Sequence, residues 1–376
     1  MRECWCMPTD QQRPPRIPPT PVVRRAFALR SRLRRVADAM IPPQGIAAER
    51  TFLLAEIKML GVVCEVQIPE AIDEGAATAG AIADRVGAQT DATERVLRFL
   101  ASRGWFARKR DGSYRLNARS RALRGNDPQS LRDWVRFMAA DWHWDIWNQA
   151  IRPVRDGESA ATAALGKPFF DWVHEDRLDA GVTFDAAMRS LSSVAGPLVV
   201  KAVSLDGVAS ICDVGGGTGR LLRALLDAAP VTRGTVVDLA DVVSGAGEVL
   251  GDLPAQRWSA LAGSFFEPGA IPEGHDRYVM QAIMHDWPDD QAGAILRNVR
   301  AAMSTDSRLW VIDSILDPSE RDDMSKAVDM LMLTVTEGGR ERTQSEWEQL
   351  FSVNGFRIES QTQLPLLIWV FTLAPV

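Results

Sequence analysis

Cysteine, histidine and long apolar runs are all scarce in this chain, and each scarcity excludes something. The 376 residues hold four cysteines, Cys4, Cys6, Cys64 and Cys212. They form neither a disulfide framework nor a paired C-x-x-C zinc spacing, because Cys4 and Cys6 are a lone C-x-C with no second pair. No metal site is therefore expected, and the thiol usage fits a reducing cytoplasm. No apolar stretch approaches the roughly 18 residues of a membrane span. No apolar segment ahead of a small-residue cleavage site opens the chain. The expectation is a cytoplasmic protein without a membrane partner. Histidine occurs only four times, so the place of each one is informative.

What is present is ordinary in bulk and uneven in distribution. Hydrophobic residues make up 46% and charged residues 24% of the chain, as in globular proteins, and the length allows two domains with a large core. Residues 1–125 carry 22 Lys and Arg against 13 Asp and Glu, a balance of +9, which leaves −15 for the rest of a chain whose net charge is −6. A basic N-terminal part is a mild nucleic-acid signal. A solvated basic face explains it as well.

Four stretches differ in texture. Residues 1–25 include the proline-rich "PTDQQRPPRIPPTP", expected to be a disordered or extended arm. The basic segment "VVRRAFALRSRLRRVADAM" follows, with Phe27, Leu33, Val36 and Met40 on roughly one helical face, and reads as a dimer-packing helix. Across residues 26–125 short helices precede a hairpin. Asp91 and Glu94 have the spacing of a capping box, and Asp111-Gly112 suits a tight hairpin turn, a winged-helix-like pattern. Arg95, Arg98 and Arg103 on its last helix would face the major groove if the unit bound DNA. Residues 126–205 look wholly helical and tryptophan-rich. From 206 to 376 strand, glycine turn and helix alternate, which implies a parallel sheet covered by helices.

The stretch "ASICDVGGGTGRLLRALLDAAP" carries most information. An apolar strand ends at Asp213, four glycines follow in five residues, and an amphipathic helix begins near Arg220. Glycines there permit a sharp turn and a close ligand approach beside a helix N-terminus. The dinucleotide pattern G-x-G-x-x-G fails, since its third glycine would fall at Arg220, and the Walker lysine is missing. What remains is an acid-x-G-x-G-x-G spacing through Asp213, Gly215, Gly217 and Gly219. A second strand, in "GTVVDLADVV", ends at Asp238, where a carboxylate can accept from both ribose hydroxyls.

That loop and acid resemble the nucleoside site of class I methyltransferases using S-adenosylmethionine. From about residue 45 onward the chain resembles small-molecule O-methyltransferases of the caffeate, hydroxyindole and anthracycline type. The matching stretches are "DVGGGTG", "VVDLADVV", "GSFFEP", "IMHDW" and "GGRERTQSEWEQLFSVNGF". The resemblance implies an α/β fold, a Rossmann-like catalytic domain joined to a mostly helical, winged-helix-like N-terminal dimerisation domain, and a homodimer acting in secondary metabolism. It implies that the loop of Gly215, Gly217 and Gly219, with Asp213, holds the methionine part of the cofactor. Asp238 and Leu239 would border the ribose; Gly263, Ser264 and Phe265 would border the adenine. The sequence departs from the family at three places: Ser264 stands where Asp is usual, Gln281 where Lys is usual, and Asp313 where Glu is usual.

The stretch "IMHDWPDD" sets His285 at a strand end, where open α/β sheets bind ligands. A neutral imidazole is a suitable base for a phenol-like hydroxyl of pKa about 10. The resemblance makes His285 that general base, with Asp313 and Glu341 as its flanking carboxylates. Asp286 is expected to cap the following helix or to touch substrate. His143, His174 and His275 match no catalytic motif and read as structural or solvated. By family position the acceptor pocket would comprise Phe184, Met188, Trp287, Leu331, Met332 and Thr336, apolar with one polar end. The expected activity is methylation of a hydroxyl on an aromatic or polyketide-like small molecule. Two alternatives stay open at this level: the same fold and cofactor with other chemistry (N-methylation, or cofactor-assisted decarboxylation or hydroxylation), and a winged-helix DNA-binding regulator.

Overall fold

The computed structural model describes residues 18–321, 323–365 and 368–376. Cys4, Cys6 and most of the proline-rich stretch lie outside the described residues. The first helix, Thr20–Asp38, begins inside the stretch expected to be an arm. Pro21 falls in its first turn, where a missing N–H costs no helical hydrogen bond. No residue of this helix is buried, and Leu29, Leu33 and Val36 are exposed. One chain alone leaves this apolar face uncovered.

The next unit packs helices Leu53–Glu65, Ile68–Asp73, Ala79–Val86 and Thr90–Ser102 against a hairpin of β1 (Phe106–Arg108) and β2 (Tyr114–Leu116). Leu60, Val63, Ile82, Leu97, Leu100, Phe106 and Tyr114 form its core. The capping box expected at Asp91 and Glu94 does not form, because Thr90 is already helical and Gln89 is the N-cap. Asp91 therefore sits within the first turn facing Arg95 at 4.0 Å, and Glu94 pairs with Arg108 at 3.0 Å. Arg103 lies 3.5 Å from Glu49 and 3.9 Å from Glu56. Acids thus draw on two of the three arginines that a DNA-binding reading needs.

Seven strands make the C-terminal sheet: β3 (Ser210–Val214), β4 (Arg233–Asp238), β5 (Trp258–Ala262), β6 (Arg277–Gln281), β7 (Arg308–Ser314), β8 (Phe356–Gln363) and β9 (Ile368–Pro375). Their order is β5-β4-β3-β6-β7-β9-β8. The first five pair in parallel, while β9 inserts antiparallel between β7 and β8. The central strands are buried on both faces, as near-continuous apolar runs require. One face packs Tyr278, Met280, Ile295 and Trp347, the other Leu222, Leu225, Val236 and Trp310. Strand order reverses between β3 and β6, so the crevice at their C-terminal ends is where this topology binds ligands. Among the described residues no helix is long and apolar enough to cross a membrane.

Between these units runs a helical segment ending in the long helix Leu178–Ala202. Phe137, Phe169, Trp172, Ala187, Leu331 and Met332 form a further core, with Phe170, Phe184 and Met188 packed against it. Leu331 and Met332 come from the helix Met324–Val335, which follows β7 in the chain. Aromatic side chains of the middle segment thereby meet the catalytic half of the molecule.

Candidate active site

The glycine loop forms as its residue types demand. After β3, Gly215, Gly217 and Gly219 all adopt positive φ, at 68°, 61° and 82°, a region other residues enter at a cost. At Gly215 an added Cβ would also stand 2.7 Å from Ile283 Cδ1. Gly219 is the N-cap of the helix Arg220–Ala228, so the loop delivers backbone N–H groups to the strand ends. Asp238 braces it: Oδ2 accepts from Gly217 N–H at 2.7 Å and Oδ1 from Leu239 N–H at 2.8 Å. Burial raises the Asp238 carboxyl, and these two N–H donors pull it back. Asp213 is fully buried and its Oδ2 has no partner. Burial and nearby Asp238 push its carboxyl up to about 7.

These residues fit a cationic nucleoside cofactor. Two carboxylates flank a glycine cradle, and one buried carboxylate oxygen awaits a donor such as an ammonium group. Gly263 N–H donates to the Asp238 carbonyl at 3.0 Å, which holds the next strand end beside the loop. Ser264 Oγ accepts from Phe266 N–H at 3.2 Å, so its hydroxyl shapes its own turn. The Asn298 side chain fixes the Phe265 carbonyl at 2.9 Å. Gln281, at the end of β6, has a buried Oε1 without a partner, an acceptor left over for a ligand donor.

His285 lies in the single turn Met284–Asp286 that follows β6. Its Nδ1 is 2.8 Å from Glu341 Oε1 and 3.4 Å from Asp313 Oδ1. Glu341 is therefore the hydrogen-bonded orienter, and Asp313 a looser neighbour. The shorter side chain at position 313 accounts for that gap. On the other side of the ring, Asp286 Oδ1 stands 3.6 Å from Nε2, beyond hydrogen-bonding distance. Asp286 does not cap the following helix, Asp289–Ala302, whose N-cap is Pro288. Burial lowers the basicity of the His285 ring, but Asp313, Asp286 and Glu341 together outweigh it and hold its pKa well above the ordinary 6.5. Burial in turn raises Asp286 to about 7 and Asp313 to about 6. One imidazole and three carboxyls thus share protons in a single cluster. His285, Asp313 and Glu341 also offer ligand atoms within 4.8 Å of one another. A cation there would have to displace the Nδ1 proton.

Residues not singled out by the sequence hold this cluster in place. Ser314 Oγ donates to Glu341 Oε2, and Asp329 Oδ1 accepts from Glu341 N–H at 2.9 Å. Arg340 N–H donates to the His285 carbonyl at 2.8 Å. Arg342 has no solvent exposure and donates to the carbonyls of Met284 and Trp287 at 2.7 and 2.8 Å and to Asp289 at 2.9 Å. Its guanidinium also lies over the Trp347 ring, 5.2 Å from the centroid. The fork of Arg342 clamps the turn carrying His285 from both ends. Its signal was its place in "GGRERT", next to the acid that the motif supplied. Gly339 is needed by contact: an added Cβ would lie 2.4 Å from Thr336 Oγ1 and 2.5 Å from the His285 carbonyl. Replacing Gly339 with alanine is expected to displace the turn at a cost of about 1–3 kcal/mol, read as lowered kcat and a lower denaturation midpoint.

The residues expected to line the acceptor pocket lie as follows. Trp287 stacks on Phe170 with centroids 5.7 Å apart, and Phe170 meets Phe184 edge-on at 6.0 Å. Trp287 Nε1 is buried without a partner. Phe184, Met188, Leu331 and Met332 belong to the same apolar cluster. Thr336 is buried with its hydroxyl engaged, donating to the Met332 carbonyl at 2.8 Å and accepting from Gly339 N–H at 2.8 Å. The remaining histidines separate. His143 is buried, accepts from Trp147 Nε1–H at 2.9 Å, and is pushed down to about 4 by burial. His275 meets Thr235 Oγ1 at 3.1 Å. His174, 15% exposed, reaches Asp241 at 3.1 Å, three residues beyond Asp238.

Comparison with known proteins gives a consistent answer. Residues 147–357 match the model of the O-methyltransferase domain, and residues 50–125 that of the O-methyltransferase dimerisation domain. The chain is 39% identical over 304 residues to the mitomycin biosynthesis 6-O-methyltransferase of Streptomyces lavendulae, covering 80% of this chain and 86% of that protein. Among solved structures, a mitomycin 7-O-methyltransferase aligns with TM-score 0.79 at 34% identity, covering 91% of this chain and 100% of that one. An O-methyltransferase from neocarzinostatin biosynthesis, solved with S-adenosylmethionine and 2-hydroxy-5-methyl naphthoic acid, aligns with TM-score 0.69 at 27% identity, over 86% and 96% of the two chains.

Proposed function

The chain belongs to the S-adenosylmethionine-dependent O-methyltransferase family, and on that premise we propose that it methylates a phenolic hydroxyl of an aromatic or polyketide-like small molecule with His285 as general base. With the dimerisation domain present, the working unit is a homodimer. In this reading residues 206–376 hold the cofactor, residues 126–205 wall the acceptor, and residues 26–125 join the two protomers. Bound S-adenosylmethionine supplies the electrophilic methyl group. The protein's own task is to orient the acceptor oxygen and take its proton. Glu341 accepts from Nδ1–H, which fixes the tautomer and leaves Nε2 as the basic atom. The stacked Trp287 and Phe170 offer a flat apolar surface for a ring, with Trp287 Nε1–H as a polar contact. Two relatives support the acceptor class: the mitomycin enzyme and the neocarzinostatin enzyme solved with a naphthoic acid.

The observation that carries this reading is the 2.8 Å contact between His285 Nδ1 and buried Glu341 at the mouth of the strand-order switch. It is tested by incubating the enzyme with methyl-labelled cofactor and a panel of phenolic, naphtholic and anilinic acceptors. Label on oxygen supports it; label on nitrogen alone, or none, removes it.

The pH dependence has a definite sign. A base works in its neutral form, and the surrounding carboxylates raise the His285 pKa. The acid limb of the kcat/KM profile should therefore have its midpoint above the free-histidine value of about 6.5. Glu341→Gln removes one of the charges responsible and should move that midpoint downward. A profile flat across neutral pH, or an upward shift in the variant, contradicts the assignment.

A further inference from the structure

The short helices of the middle segment end in a π-helical turn, Trp172–Asp176, which Arg177 closes with φ −129° and ψ 75° before the long helix begins. Such wide turns carry an extra residue and recur at functional positions. The turn is packed tightly from the far side: a Cβ at Gly181 would lie 2.4 Å from the Val173 carbonyl. It presents His174, whose side chain is only 15% exposed, toward the loop after β4. His174 Nδ1 lies 3.1 Å from Asp241 Oδ2, three residues beyond Asp238. On its other side the His174 ring meets Phe184 at 6.5 Å between centroids. Asp238 is near enough for His174 to lower and Asp185 to raise its carboxyl. Burial raises the Asp185 carboxyl, with His174 and Arg189 opposing the rise and Asp241 adding to it. One imidazole thus stands among three carboxylates, Asp185, Asp238 and Asp241, at the junction of the acceptor wall and the ribose loop.

We propose that His174 is a positioning residue for the cofactor: by its 3.1 Å contact with Asp241 it ties the Asp238–Asp241 turn to the π-helical turn, and so holds the ribose-binding carboxylate in place. It acts through Asp238 and need not touch the cofactor. The proposal rests on the reading of Asp238 as the ribose acid. Neither cofactor recognition by the glycine loop nor proton transfer at His285 requires this contact, so the effect belongs to binding. Asp241 is 53% exposed, which limits the pair to the modest range of solvent-screened contacts.

The test is isothermal titration of the full-length enzyme with S-adenosylmethionine and S-adenosylhomocysteine, with steady-state kinetics alongside. His174→Ala and Asp241→Asn should each weaken cofactor binding by about two- to fivefold. The double variant should be no weaker than the weaker single one, since both remove the same contact. The loss should appear in the KM for cofactor rather than in kcat. His174→Asn, whose amide can donate from nearly the same position, should recover most of it. Unchanged affinity, additive losses, no recovery by asparagine, or a loss confined to kcat each overturns the proposal. Asp238→Asn serves as the parallel control. If it leaves affinity intact, the ribose assignment itself falls; if it weakens binding while His174→Ala does not, only the role of His174 falls.

Discussion

Replacing His285 with alanine is expected to lower kcat by about 10²–10⁴-fold, the usual contribution of a general base, while cofactor affinity stays essentially unchanged. The two effects separate because they belong to different strand ends. In the proposed reading the glycine loop after β3 and Asp238 at the end of β4 hold the methionine and ribose parts of the cofactor, whereas His285 follows β6. The turn itself does not depend on the imidazole, because the contact from Arg340 N–H is made to the His285 backbone carbonyl. Removing the ring does leave Asp286, Asp313 and Glu341 without a cation among them. Burial already holds Asp286 near 7 and Asp313 near 6, with His285 opposing the rise. In the variant Asp286 and Asp313 lose that opposition and their carboxyls rise further, so proton uptake softens the cost of the change. His285→Gln is the sharper companion: it can keep a donor toward Glu341 but cannot accept a proton. Initial rates and cofactor titration on both variants check the prediction. Retention of full activity by either would show that His285 is not the base.

The second large effect is expected at Arg342, a residue that takes no part in proton transfer. Arg342→Met keeps much of the buried volume but strands the Met284 and Trp287 carbonyls, at roughly 1–3 kcal/mol for each unsatisfied buried group. The partner carboxylate Asp289 is 62% exposed and returns to water at little cost, so the carbonyls dominate. A destabilisation of about 2–4 kcal/mol is expected in urea denaturation. Because both carbonyls flank His285, the turn loosens as well. Misplacement of a base by about an ångström is worth on the order of 10²-fold in rate. Arg342→Lys keeps the charge but not the fork, which serves three acceptors at once, and should recover stability more than activity. A variant with unchanged kcat would show that the clamp is structural only.

Much of this site was legible in the residues, and the reasons are local. The glycine loop announces itself because three positive-φ positions within five residues admit little else than glycine. Asp213 and Asp238 were read as strand-end acids because an apolar run stops at each. His285 was placed by the same strand-end logic, and Glu341 by resemblance. The capping box at Asp91 and Glu94 misled, because a helix that starts two residues early moves both side chains off the cap. The sequence named both flanking acids, with Glu341 fitting the family pattern as it stands and Asp313 the shorter substitute. The 2.8 Å and 3.4 Å distances to Glu341 and Asp313 reflect side-chain length against the fixed separation of β6, β7 and the 341 loop.

What the sequence determined by itself was the class of the protein: strand periodicity, glycine conformations and strand-end acids are properties of neighbours in the chain. What only the tertiary structure decided was which distant side chains act on the same atoms. Arg342 closing on a turn 58 residues away, Ser314 bracing Glu341, and His174 meeting the ribose loop all depend on how elements pack. Such contacts are set by burial and reach across the fold, and no periodicity in the chain encodes them.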